Sequence, residues 1–195
     1  MKSFIVVLQT LISPAQARDL GPVIYEMSRQ ANEDPYLIAG IIYVESRFKP
    51  GICFKGAFGL MQIQLERRKD CSINSRLRAE WLDLKDPRTN IRRGIQLVKL
   101  WRNWCKKHHN SHHWLLHYNQ GFGRCPKRRC RCSRRERIPL TFGRVGGYAR
   151  RVLEVASTLR ARQLYAQSFR KASPEETGLA STRKRKRYAN NTVSR

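Results

Sequence analysis

Glu45 is the residue whose setting first suggests chemistry. It stands in "IIYVESRF" (residues 41–48), where Ile38, Ile42 and Glu45 fall at i, i+4 and i+7, one face of a helix. A carboxyl desolvated by isoleucines keeps its proton to higher pH, because burial disfavours the anion. A glutamic acid still protonated near neutrality is what general-acid catalysis requires. Without further context, a helix-end glutamate paired with Arg47 or Lys49 is the better account of the residue. Between Glu45 and Asn119 the other acids are Glu66, Asp70, Glu80, Asp83 and Asp86, and Asp86 is placed to cap the helix opened by "DPRTN". None is marked by its surroundings as a second catalytic carboxylate.

A second group of residues invites a metal. All five histidines (108, 109, 112, 113 and 117) lie in one short stretch, near four of the six cysteines. His113 and His117 are four apart on a helix, a spacing that can hold an ion, and Cys125, Cys130 and Cys132 offer thiolates. Their spacing is not that of a zinc finger, and an exported chain would oxidise those thiols. The expectation is therefore no metal, with disulfides bracing a basic segment. Cysteines 53, 71, 105, 125, 130 and 132 allow fifteen pairings, and all stay open.

The elements that must position Glu45 read as helices. "DLGPVIYEMSRQANEDPYLIAGIIYVESRFKP" predicts two, broken near residues 32–34, with Asp34 as cap, Pro35 in the first turn and Pro50 as the stop. "GICFKGAFGLMQIQ" carries three glycines and reads as a shaped loop running into a short apolar segment. In "DPRTNIRRGIQLVKLWRNW", Ile91, Ile95, Val98 and Trp101 recur at helical spacing. Ser111 can cap a helix over "HHWLLHYN", which stops at Gly121. The last helix lies in "GYARRVLEVASTLRARQLYAQ", with Val152, Val155 and Leu159 on one stripe. Nothing alternates with period two and no internal repeat is present, so the predicted fold class is all-α.

"ESRF", followed about ten residues later by "GAFGLMQI", resembles the signature of soluble-type lytic transglycosylases, the SLT domain, whose fold is related to goose-type lysozyme. The likeness continues in order through "DPRTNIRRG", "HYNQG" and the tyrosine of "YARRVL", and spans roughly residues 20 to 160. It implies a lysozyme-like helical domain with a substrate groove between helical lobes. Glu45 would be the sole acid/base and Ser46 its small polar neighbour. Gly59, Leu60, Met61 and Gln62 would form the facing loop, with Met61 and Gln62 lining sugar subsites. Tyr118 and Asn119 would lie across the groove and Tyr148 close to the glutamate. Met61 as core filler and Tyr118 as a buried ring are the plain alternatives. The implied reaction needs no cofactor. It cleaves the bond between N-acetylmuramic acid and N-acetylglucosamine of peptidoglycan, leaving 1,6-anhydro ends; lysozyme-type hydrolysis of the same bond is the nearest rival. Two departures stand out. Leu65 replaces a common proline, and His117 replaces a small residue, which would put a titratable ring beside the groove.

Forty Lys and Arg against 14 Asp and Glu give a formal charge of +26, a surface that seeks polyanions. Residues 1–17 read as a signal peptide: Lys2, the apolar "FIVVLQTLI", and "SPAQA" before a cleavage after Ala17, with a buried first helix as the alternative. With an even cysteine count, this places the chain in the periplasm or cell envelope. No later stretch is long and apolar enough to span a membrane. Residues 18–170 form the predicted catalytic domain, interrupted by a basic, cysteine-rich insertion at 122–140. Residues 171–195 form a basic disordered tail suited to anionic envelope polymers. A nucleic-acid-binding protein is the competing class, given "RKRKR" at 183–187, but only Tyr188 follows it and no stacking platform exists, so nucleic acid is disfavoured.

Overall fold

The computed structural model describes residues 1–64, 71, 75–108, 114–120 and 143–172. Among these residues the helices are α1 (Lys2–Leu8), α2 (Pro14–Gln30), α3 (Pro35–Ser46), α4 (Ser75–Lys85), α5 (Pro87–His108), α6 (Trp114–Gln120) and α7 (Gly143–Ala172). A small antiparallel sheet of β1 (Cys53–Phe54), β2 (Ala57–Phe58) and β3 (Ile63–Gln64), in that order, lies between α3 and α4. The expected insertion at 122–140, the Ser111 cap, Leu65, and the tail from 173 onward lie outside the described residues; α7 itself continues to Ala172.

α3 is the axis of the molecule, and its composition requires this. Leu37, Ile38, Ala39, Ile41 and Ile42 are all buried, so the helix has no face to offer water and must be enclosed. Its start is the predicted one: Pro35 occupies the first turn and the Asp34 carboxylate accepts the Tyr36 N–H at 3.1 Å. α7 supplies the main packing partner, and Gly40 permits a close approach, since a Cβ there would stand 2.6 Å from the Val152 carbonyl oxygen. Tyr148, Ala149, Val152, Ala156 and Leu159 form the buried stripe of α7; Val155, expected on it, is only partly covered. On α5, Ile91, Ile95, Val98 and Trp101 are all buried, as their spacing predicts.

Two findings add to the sequence reading. The stretch expected as a loop contains the sheet, whose strands are two residues each and too short to alternate. Cys53 and Cys71 are joined as a disulfide at its edge, with Cα atoms 6.1 Å apart. The N-terminal segment takes the buried-helix form: Phe4, Val7 and Leu8 belong to the core, and the Phe4 ring packs 5.6 Å from Tyr25 and 5.2 Å from Tyr36. Ala17 is buried inside α2, so cleavage after it would cut a helix and remove three core side chains. Among the described residues no helix is long and apolar enough to cross a membrane.

Candidate active site

Glu45 occupies the last turn of α3, the helix that packs on α7. Beyond Ser46 the chain reverses through two consecutive left-handed residues, Arg47 (φ 52°) and Phe48 (φ 59°). Such conformations cost on the order of 1–2 kcal/mol each and persist only where packing enforces them. Here Phe48 is fully buried and the Arg47 N–H donates to the Tyr43 carbonyl at 3.1 Å. The Arg47 guanidinium lies over the Tyr43 ring at 4.0 Å, which answers the simple reading of Glu45 as its ion-pair partner.

Glu45 instead receives the Tyr148 hydroxyl, which donates to Oε1 at 2.6 Å. Burial pushes the Glu45 carboxyl from 4.5 to about 7, and the Tyr148 hydrogen bond offsets only part of that rise. Tyr148 and Tyr118 are both held well above the ordinary phenol range, first by burial and then by the nearby Glu45 charge. Glu45 therefore sits among neutral groups that leave its proton in place near neutral pH.

The facing turn is built around Gly59, whose φ of +76° suits glycine and whose missing side chain matters as well. A Cβ there would stand 2.0 Å from Asn90 Nδ2. Gln62 is also left-handed (φ 48°), and its amide donates to the Gly59 carbonyl at 2.9 Å and to the Ile52 carbonyl at 3.3 Å, fastening the turn to the residue that precedes β1. The Met61 side chain is fully buried, with its sulfur filling space that a Cβ at Gly94 would need. Tyr118 donates to the Met61 carbonyl at 2.8 Å and so bridges α6 to this turn.

Of the expected residues, the structure joins Tyr148 to Glu45, and it joins Tyr118 and Gln62 to the Gly59–Gln62 turn, but not all in the expected manner. Met61 reaches the site by its peptide group, since its side chain is core. Ser46 is 2% exposed and its hydroxyl donates to the Ile42 carbonyl at 3.0 Å, a bond inside the helix that leaves it no surface for a sugar. Asn119 is exposed one step along α6 from Tyr118. His117, expected beside the groove, is buried on another side of α6: its ring stacks on Trp101 at 5.1 Å and meets Trp104 edge-on at 4.9 Å. Successive helical residues point about 100° apart, so a histidine preceding Tyr118 cannot share its direction. The remaining candidate metal ligands lie outside the described residues or have undescribed side chains.

Asn90 carries no chemistry in the sequence reading, yet it is 1% exposed and holds the turn by three hydrogen bonds. Its signal was its place in "DPRTNIRRG", three residues past the Pro87 that opens α5. The sequence reading also passed over Arg102, which meets the buried Glu33 at 2.5 Å and lies over the Trp114 ring, tying α5 to α6.

A comparison with curated proteins gives no match. The family described as the transglycosylase SLT domain matches residues 22–138, which include α3, the sheet, α5 and α6. Its span holds Glu45 and the turn that faces it, on a mostly helical, lysozyme-like framework. The chain belongs to the transglycosylase SLT domain family and is a peptidoglycan lytic transglycosylase, a lyase acting on polysaccharide.

Proposed function

We propose that Glu45 is the single acid/base of a non-hydrolytic cleavage of the bond between N-acetylmuramic acid and N-acetylglucosamine. The observation that carries this reading is a lone desolvated carboxyl with its proton retained to about pH 7. The other described carboxylates are engaged or placed elsewhere. Asp86 caps α5 through the Thr89 N–H at 2.7 Å, which holds it below the ordinary carboxylate range. Glu26, Glu33, Asp34 and Glu154 face arginines, while Asp19, Glu80 and Asp83 are exposed. With one such carboxyl among the described residues, this reading has the substrate supply the nucleophile.

Glu45 gives its proton to the glycosidic oxygen as the bond from the muramoyl anomeric carbon breaks, and the N-acetylglucosamine leaves with a hydroxyl. The muramoyl N-acetyl oxygen shields the electron-poor carbon. The Glu45 carboxylate then takes the proton of the muramoyl 6-hydroxyl, whose oxygen closes onto the same carbon. The product is a 1,6-anhydro end, Glu45 is again protonated and no water is consumed. In this reading Tyr148 orients the carboxyl, Gln62 and Asn119 border the sugar subsites, and the Gly59–Gln62 turn sets their wall. Ser46 fixes the last turn of α3.

A peptidoglycan substrate implies an envelope location; export to the periplasm, with the Cys53–Cys71 bond formed there, is part of the proposal. Its charge of +26 supports retention on anionic envelope polymers. Digesting purified sacculi in water enriched in heavy oxygen tests the reaction. The proposal expects no label in the new ends, and incorporation at each cleaved bond would assign hydrolysis instead.

A further inference from the structure

The sheet that carries the Gly59–Gln62 turn has a second face. Residues paired across antiparallel strands share a face, so Cys53, Phe58 and Ile63 lie on one side and Phe54, Ala57 and Gln64 on the other. The first side is turned to the molecule: Phe58 and Ile63 are buried, and the Phe58 ring meets Trp81 edge-on at 6.1 Å. The second side is turned to solvent. Phe54 is 61% exposed and Gln64 is exposed as well, with the small Ala57 between them. At the usual strand spacing this row of ring, methyl and amide is about 10 Å long, comparable with a disaccharide.

The Phe54 ring is held in place. It ends β1 at a two-residue turn in which Lys55 (φ 50°) and Gly56 (φ 78°) are both left-handed, the geometry of the tightest hairpins. A lysine disfavours that conformation, so the turn is kept against the preference of its own residue. The Lys55 ammonium stands over the Phe54 ring, 5.1 Å from its centre. Behind Phe54, Cys53 is bonded to Cys71, and the Ile52 carbonyl accepts both the Gly59 N–H at 2.8 Å and the Gln62 amide at 3.3 Å. Phe54 is thereby fastened, two residues along the chain, to the turn that carries Gln62. A scattered apolar side chain on a surface needs no explanation. A ring fixed in this way, beside the candidate site, is pre-organised for a ligand.

We propose that this face of the sheet is an outer glycan subsite, where a pyranose ring of the peptidoglycan strand stacks on Phe54. The C–H groups on one side of a pyranose are slightly positive, so they settle on the electron-rich face of an aromatic ring while the hydroxyls stay in water. Gln64 brings an amide to the same row, matched to the N-acetyl groups that recur along the strand. Peptidoglycan as substrate comes with the family. The proposal rests further on the reading of the Gly59–Gln62 turn as the wall of the sugar subsites, since the hydrogen bonds at Ile52 make the outer face continuous with that wall. A membrane is the poorer occupant, because one ring beside a methyl and an amide offers it little apolar area.

The test compares Phe54→Ala, Phe54→Leu and Phe54→Trp with the parent on long glycan strands. Phe54 is exposed, so the variants should melt as the parent does. Phe54→Ala and Phe54→Leu should raise KM about three- to tenfold, the range of one aromatic contact, with kcat unchanged. Phe54→Trp, which keeps an aromatic face, should hold the parent KM. An unchanged KM for Phe54→Ala, or an equal rise for Phe54→Trp, would overturn the proposal. So would a Phe54→Ala that loses its hold on phosphatidylglycerol vesicles while keeping its KM on strands, which assigns the face to lipid. Retention of the same four side chains on intact sacculi, in a Glu45→Gln background, reads binding without turnover and should follow the same order. Continued cleavage by Glu45→Gln would defeat the reading of the acid, while the order of retention decides the Phe54 subsite separately.

Discussion

A carboxyl with a raised pKa has consequences in both rate and stability, and the two run in the same direction of pH. As a general acid, Glu45 is competent when protonated, so activity should fall as pH rises through about 7. Tyr148 stabilises the anion, hence Tyr148→Phe should move that limb to higher pH while lowering the maximal rate through lost orientation; a pH–rate series checks both. For stability, the folded-state pKa lies above the unfolded value of 4.5, so the folded chain binds more protons between the two. Stability therefore falls as pH rises from about 4.5 to about 7, by roughly 3 kcal/mol in total. Glu45→Gln should recover most of that loss at pH 8 and change little at pH 4, as read from urea denaturation at each pH. This residue was legible because Ile38 and Ile42, at helical spacing from it, mark a buried face of α3. Its partner Tyr148 was reachable only through the family resemblance, since no local pattern joins residues 103 positions apart.

At the scale of elements, α3 and α5 could be read directly because burial on helical stripes leaves a periodic trace. The sheet could not be read, because its two-residue strands leave none, and its glycines announced only that the backbone was special. Gly59 illustrates what such a glycine does: it combines a left-handed backbone with room for the Asn90 amide. Gly59→Ala should destabilise the protein by about 2 kcal/mol or more through strain and overlap. Its activity should fall further than stability predicts, because Gln62 and the Met61 carbonyl depend on that turn. Thermal melts set beside cleavage rates separate these effects. The polar lock at Asn90 was hidden for a different reason: a buried asparagine is justified only by its three partners, and they come from Phe58, Met61 and Leu84.

Over the whole molecule, the family span begins at residue 22, yet the core begins with Phe4. The apolar N-terminal run reads as a leader by composition, and in the structure it packs as α1. α1 covers parts of α2 and α7, the latter being the helix that carries Tyr148. Deleting residues 2–12 should cost several kcal/mol through the lost Phe4, Val7 and Leu8 contacts, each worth about 1.5–3 kcal/mol when buried. Calorimetry of the shortened chain beside the full chain measures this. An unchanged melting temperature would mean that the remaining helices close the core without α1.

The proposed reaction turns on one carboxyl working alone. Its most direct test is mass spectrometry of the fragments released from purified peptidoglycan by the parent chain and by Glu45→Gln. The parent should yield 1,6-anhydromuramoyl ends, and the variant, folded to the same extent, should release them at least about a hundredfold more slowly. Undiminished release of anhydro ends by Glu45→Gln, or reducing ends from the parent, would contradict it.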